Sequence, residues 1–232
     1  YIVLDFEWNQ PLSEKEMLME PFPFDSEIIE IGAIKLDESF QTVDEFKTFI
    51  RPQFYPHLSN AVVQLTKIRP QELEKAPSFP EAFDTFIDWC GDDCALCSWG
   101  PDDIPVLLDN MLLHGIPTEP FPYCYDLQRI FARELLRENR QCSLSDAVKM
   151  LKLPADRAHD ALNDTRNTVR VCERMDLAGC IDEYRTAFVG YGADRKSGLI
   201  SGLIYPSLDV ALADTRVKEI TCPYCGEQVS LT

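Results

Sequence analysis

Residues 1–8 (YIVLDFEW) open the chain on an apolar run with the two-residue period of a strand. Tyr1, Val3, Asp5 and Glu7 fall on one face, and Ile2, Leu4, Phe6 and Trp8 on the other. So apolar a run predicts a strand covered on both sides, with two acids pointing the same way. Residues 9–25 hold two prolines in EPFPF and no steady period, which predicts a surface loop. Residues 27–36 (EIIEIGAIKL) and 45–50 read as a second and third strand, joined through a turn at 37–41 into an antiparallel meander. Residues 51–80 are proline-punctuated and read as irregular, apart from a helical patch at 70–74.

Helical spacing then takes over. Pro80 opens a helix whose Phe83, Phe86, Ile87 and Cys90 share one stripe, and Gly91 ends it. Residues 95–98 form a short buried strand, followed by a helix over 103–114 with Ile104, Leu107, Leu108, Met111 and Leu112 on one side. A fifth strand is expected at 122–125, and three more helices at 127–137, 144–151 and 161–175. This order indicates a mixed sheet flanked by helices. Past Ala187 the pattern weakens, which divides the chain into a domain at 1–186 and an appendage at 187–232.

Composition changes the picture in two respects. At 45% hydrophobic and 26% charged, the chain can bury an ordinary core. Its net charge of -17 excludes a broad basic surface for nucleic acid, so any such contact must be local, for instance through a metal that grips one or two phosphates. No apolar stretch is long enough to span a membrane, and no charged region with a signal-peptide core precedes the first strand. Nine cysteines, an odd number, mostly sit inside apolar patterns (Cys90, Cys97, Cys124, Cys172) and favour the cytoplasm over a disulfide scaffold.

Several acids stand where packing alone does not ask for them. Asp5 and Glu7 on one strand face would repel each other and lose hydration, which a hard divalent cation such as Mg²⁺ or Mn²⁺ would relieve; a strand end open to water is the plainer alternative. Asp102 and Asp103 follow a short strand in WGPDD, where open α/β sheets build their sites, and equally where acids cap a helix. Asp164 falls on the side of its helix with Ala161, Thr168, Cys172 and Met175, and a carboxylate there needs a partner. His159 stands five residues earlier, with Asp160 as the candidate N-cap.

Asp5-Phe6-Glu7, EIIEIGAIKLD, LTKIRPQEL at Leu65, WGPDD at Trp99, and His159 with Asp164 occur in an order that resembles the DEDD-type 3'-5' exonucleases of the histidine subclass. This is the superfamily of RNase T and the polymerase proofreading subunits, and the likeness is greatest to exoribonucleases that trim structured RNA 3' ends. The resemblance implies an RNase H-like fold with a five-stranded mixed sheet. It implies that Asp5, Glu7, Asp103 and Asp164 hold two divalent ions about 3.5–4 Å apart for in-line displacement at phosphorus. It makes His159 the general base. The substrate would be a single-stranded RNA or DNA 3' end, releasing nucleoside 5'-monophosphates.

Phe6, Trp8, Leu65, Thr66 and Trp99 lie in the matching segments and are the candidates for contact with the terminal nucleotide. Trp8 suits base stacking, although both Phe6 and Trp8 also suit the core. Lys67 stands where the family more often has glycine and is placed to meet a phosphate. Asp103 fits the spacing from Trp-Gly better than Asp102, and Glu30 inside the second strand has no assigned role.

The tail carries TCPYCGE, a Cys222-x-x-Cys225 pair that matches half of a structural Zn²⁺ site. A full site needs a second pair, which a natural chain longer than residues 1–232 is expected to supply; two chains sharing an ion, or a pair without metal, are the alternatives, and the tail offers a place for a protein partner.

Overall fold

The computed structural model describes residues 1–19, 22–117, 123–187, 220–221 and 228–229. Cys222 and Cys225, and the appendage apart from Ala187 and one short strand pair, lie outside the described residues.

Three antiparallel strands form the expected meander: β1 (Ile2–Asn9), β2 (Glu27–Leu36) and β3 (Thr42–Phe49). β4 (Leu96–Ser98) pairs parallel with β1, and β5 (Tyr123–Asp126) pairs parallel with β4. A two-residue strand, β6 (Thr186–Ala187), adds an antiparallel edge, so the order across the sheet is β3-β2-β1-β4-β5-β6. The five-stranded mixed sheet is therefore as expected, with one short edge strand the pattern did not disclose.

The alternation along β1 decides where the layers go. Ile2, Leu4 and Phe6 enter a core with Phe79, Phe83 and Phe86 of the helix Phe79–Cys90, while Val3 enters a second core with Leu162, Val169 and Cys172. Numbering helices along the chain, these include α1 (Asn60–Thr66), α2 (Pro70–Leu73), α3 (Phe79–Cys90), α4 (Asp103–Leu113) and α5 (Leu127–Ile130). They continue with α6 (Leu144–Met150), α7 (Ala161–Cys172) and α8 (Leu177–Cys180). A π-helical stretch, Phe131–Leu136, extends α5 across the rest of the expected helix.

Helix α1 corrects the expectation of irregular chain between 51 and 69. Ser59 caps it by accepting the amide of Val62 at 3.1 Å, and Lys67 closes it in left-handed backbone at φ 68°. Asn9 holds its entry: the side-chain amide donates to Tyr55 O at 2.8 Å and to His57 O at 3.1 Å, and Oδ1 accepts from Ser59 N at 3.3 Å.

Helix α7 lies directly on the sheet. A Cβ at Gly32 would fall 2.2 Å from the Ala161 carbonyl carbon, so only glycine permits this approach, and Thr165 Oγ1 donates to Gly32 O at 3.1 Å. The contact fixes the height of α7 over β2. Among the described residues no helix is long and apolar enough to cross a membrane.

Candidate active site

A cleft of about 740 Å³ opens beside the end of β1, lined by β1 from Asp5 to Trp8, by α1, by the start of α4, by α6, and by the segment 155–159 that leads into α7. Asp5, Glu7, Asp103, His159 and Asp164 all line it. Four elements thus bring together the five residues that the sequence marks as chemical.

Asp5 sits on β1 opposite Gly32, and Glu7 lies opposite Glu30. After Glu7 the register slips, because Trp8 pairs with Ile28 and leaves Ile29 as the extra residue. The amide of Ile28 is taken up instead by Asn110 Oδ1 of α4 at 3.1 Å. Asp103 is 6% exposed, and its Oδ1 accepts the amide of Phe6 at 3.2 Å, which ties α4 to β1 beside Asp5. Asp102 is exposed and occupies the N-cap position, yet its side chain makes no cap bond, while Asp103 is the acid in the first turn of the helix.

Burial raises the pKa of every carboxyl in the group. Asp5 stands well above the usual carboxylate range, through burial and then the repulsion of Asp103 and Glu7. Burial, and then Glu30 and Asp164, push Glu7 up to about 8. Burial takes Asp103 to about 7 against the pull of the Phe6 amide, and raises Asp164 against the pull of the His159 amide. So many acids in one cleft cannot all ionise without a counter-charge.

The structure holds a suitable place for one. Ligand atoms of Glu7, His159 and Asp164 lie within 4.8 Å of one another, close enough to share one ion, and the cluster is rich in the carboxylate oxygens that hard cations prefer. Asp5 and Asp103 are not part of that trio but face the same cleft. The donor set fits Mg²⁺ or Mn²⁺.

His159 reaches the cleft through an unusual backbone. Its φ is 62°, and its amide donates to Asp164 Oδ2 at 2.7 Å. Asp160 caps α7 as expected, accepting from Asn163 N at 3.2 Å. Asn167, one helical turn beyond Asp164, pins the approach: Oδ1 accepts from Asp156 N at 2.9 Å and Nδ2 donates to Asp156 O at 3.2 Å. Asn167 was not among the residues expected at the site, although its i+3 spacing from Asp164 is a signal that helical periodicity provides.

The candidates for nucleotide contact divide by where their side chains go. Leu65 is 52% exposed on the wall of the cleft, and Trp8 both lines the cleft and packs on the core. Phe6, at 3% exposure, is a core side chain and presents only backbone. Thr66 is buried, and its hydroxyl is used locally, donating to Val62 O at 2.9 Å and accepting from Ile68 N at 3.0 Å. Trp99 lines the cleft while its indole N–H donates to Cys142 O at 3.0 Å and its ring packs on Phe131. Lys67 turns back on its own helix, donating to Gln64 O at 2.5 Å, and does not line the cleft.

A mixed sheet under flanking helices, with acids converging at the carboxyl end of its central strand, defines the class of RNase H-like nucleases. The RNase T exonuclease family matches residues 2–172, and the chain belongs to it. It is 25% identical over 171 residues to the human 3'-5' exoribonuclease 1, covering 69% of this chain and 49% of that protein. It is 32% identical over 176 residues to the PolC-type DNA polymerase III of Thermotoga maritima, covering 75% of this chain and 12% of that one. The chain thus spans about half the length, or less, of these relatives. Among solved structures, the nuclease domain of 3'hExo, a DEDDh family member bound to rAMP, superposes with a TM-score of 0.66 at 24% identity, covering 77% of this chain and 92% of that one.

Proposed function

We propose that the domain at residues 1–186 is a metal-dependent 3'-5' exonuclease that removes nucleoside 5'-monophosphates from the 3' end of RNA. The observation that carries this reading is the convergence of Asp5, Glu7, Asp103 and Asp164, each with a raised pKa, around one cleft that also receives His159. Asp5, Glu7, Asp103 and Asp164 would hold divalent cations, and the metal-bound form of the fold is represented by S. pombe Pop2p with Mg²⁺ and Mn²⁺. Cations bound there would neutralise the carboxylates and supply the Lewis acidity that hydrolysis at phosphorus needs.

The chain's own residues do the rest. His159 takes the proton from the attacking water, whose oxygen bonds to phosphorus in line as the bond to the 3' oxygen of the penultimate nucleotide breaks, and that oxygen leaves and takes a proton from solvent. Leu65 and Trp8 offer the apolar surface against which the terminal base rests. Among the described residues that line the cleft Lys149 is the one lysine or arginine, which accords with a grip made locally rather than by a basic face.

RNA is preferred because exoribonucleases recur among the relatives, including exoribonuclease 1 in rat and mouse. The PolC-type relatives support DNA as the competing substrate. Trimming matched RNA and DNA oligonucleotides decides between them, and faster DNA trimming would overturn the RNA preference. The buried free cysteines suit a cytoplasmic setting. The pair Cys222 and Cys225 is proposed as half of a Zn²⁺ site in a tail open to a protein partner; zinc analysis of a longer chain that finds no bound metal would remove it.

A further inference from the structure

Lys47 of β3 does not line the cleft, yet it connects two groups that neighbour residues lining it, Glu30 opposite Glu7 and Asp160 after His159. Its Nζ lies 2.7 Å from Glu30 Oε1 and 2.8 Å from Asp160 Oδ2. Glu30 is 1% exposed, sits opposite Glu7 in the register, and accepts the amide of Ala161 on its other oxygen at 3.3 Å. Asp160 is the N-cap of α7 and directly follows His159. The ion pairs therefore run from inside the sheet to the residue beside His159.

His159 is in a backbone conformation that needs support. A non-glycine φ of 62° is uncommon and persists where the surroundings hold it. Asn167 holds the segment on the Asp156 side, through both of its amide atoms. On the other side the holding group is Lys47, assisted by Arg157, whose guanidinium reaches Asp160 at 3.3 Å. The ammonium of Lys47 can serve both carboxylates at once, and the Glu30 end of the tie is buried, so it is not screened like a surface pair.

We propose that Lys47 is a positioning residue for the general base: by joining Glu30 to Asp160 it fixes the backbone after His159 and so sets the reach of the imidazole into the cleft. This rests on the exonuclease reading for its kinetic consequence, but not for its structural one. Methionine at 47 would keep the length of the side chain and lose both ion pairs. Arginine, whose fork can bridge two carboxylates, would keep them.

The test compares the full chain with Lys47→Met, Lys47→Arg and Arg166→Met. The last breaks a different ion pair between α7 and β3, Arg166 to Glu45 at 2.5 Å. Two readouts are taken: kcat and KM on a 5'-labelled RNA, and the imidazole signal of His159 in the metal-free protein, one of three histidines and assigned with His159→Ala. Lys47→Met is expected to lower kcat about tenfold or more, since small misplacements of catalytic groups are costly. KM should stay within about twofold, and the His159 signal should shift and broaden. Lys47→Arg should recover most of both, and Arg166→Met should disturb neither. Should Lys47→Met fail to fold, Asp160→Asn loses the same tie at its outer end and carries the same expectation. A folded Lys47→Met with unchanged kcat and an unmoved His159 signal would overturn the proposal, as would an equal loss in Arg166→Met. If the unmodified chain trims no RNA, the exonuclease reading fails, and the His159 signal alone still decides whether Lys47 fixes the histidine.

Discussion

The amide of His159 donates to the carboxylate of Asp164 at 2.7 Å, across the start of α7. The acid thereby helps to hold the left-handed turn that carries the imidazole toward it. One oxygen of Asp164 is engaged by this bond, and the two side chains share the trio with Glu7. In the proposed reading, the proton acceptor and a cation ligand therefore share one short piece of backbone.

Asp103 and Asp102 are neighbours with opposite environments, one buried against the Phe6 amide and the other exposed. Asp103→Asn is expected to reduce trimming at least about a hundredfold, as loss of one of the carboxylates that would hold the cations does. Asp102→Asn should stay within about threefold. Initial rates on one RNA check both, and comparable losses would remove the assignment of Asp103.

Gly32 admits α7 to the sheet. Gly32→Ala puts a methyl group 2.2 Å from the Ala161 carbonyl carbon and must displace the helix that carries Asp164. A loss of about 3 kcal/mol is expected, the upper end for overpacking. Urea unfolding measures it, and a variant as stable as the original would show that α7 does not rest on this contact.

Leu65 has little to lose in the free protein. Leu65→Ala should leave stability within about 0.5 kcal/mol and raise KM for RNA about tenfold, the equivalent of about 1.4 kcal/mol of lost apolar contact. An unchanged KM would place the terminal base elsewhere in the cleft.

The metal-free cleft should make stability depend on pH. Glu7 near 8 and Asp103 near 7 are raised above their unfolded values, so they bind protons more tightly when folded. Their contribution is complete below about pH 4, where both states are protonated, and is lost as pH rises toward 8. The metal-free melting temperature is therefore expected to fall by roughly 5 °C or more between pH 5 and 8. Saturating Mn²⁺ at pH 8 should restore it, and a flat profile without metal would contradict the crowding of charge described here.

Much of this arrangement was legible in the sequence because it is local. The faces of β1 follow from strict alternation, so the sequence alone puts Asp5 and Glu7 side by side. Asp164 was legible as a carboxylate on an otherwise packed helix side. The motif order then supplied Asp103 and His159. What stayed hidden depends on partners distant in the chain. Lys47 reads as an ordinary polar residue of an exposed strand, and only the register of β2 with β3 and the position of α7 bring it to Glu30 and Asp160. The left-handed φ of His159 has no local signature, and α1 was obscured by the prolines around it, despite the Ser59 cap. Phe6 was ambiguous for a physical reason, since a residue between two site acids on a strand necessarily points into the opposite layer.

The most direct test of the central claim is the fate of a 5'-labelled RNA with a free 3' end, incubated with the unmodified chain and with Asp5→Asn in Mg²⁺, Mn²⁺ or EDTA. The expected result is a ladder that shortens from the 3' end with either metal and is absent in EDTA and in Asp5→Asn. RNA and matched DNA left intact by the unmodified chain with both metals, or trimmed equally by Asp5→Asn, would contradict the assignment of this cleft as a metal-dependent exonuclease site.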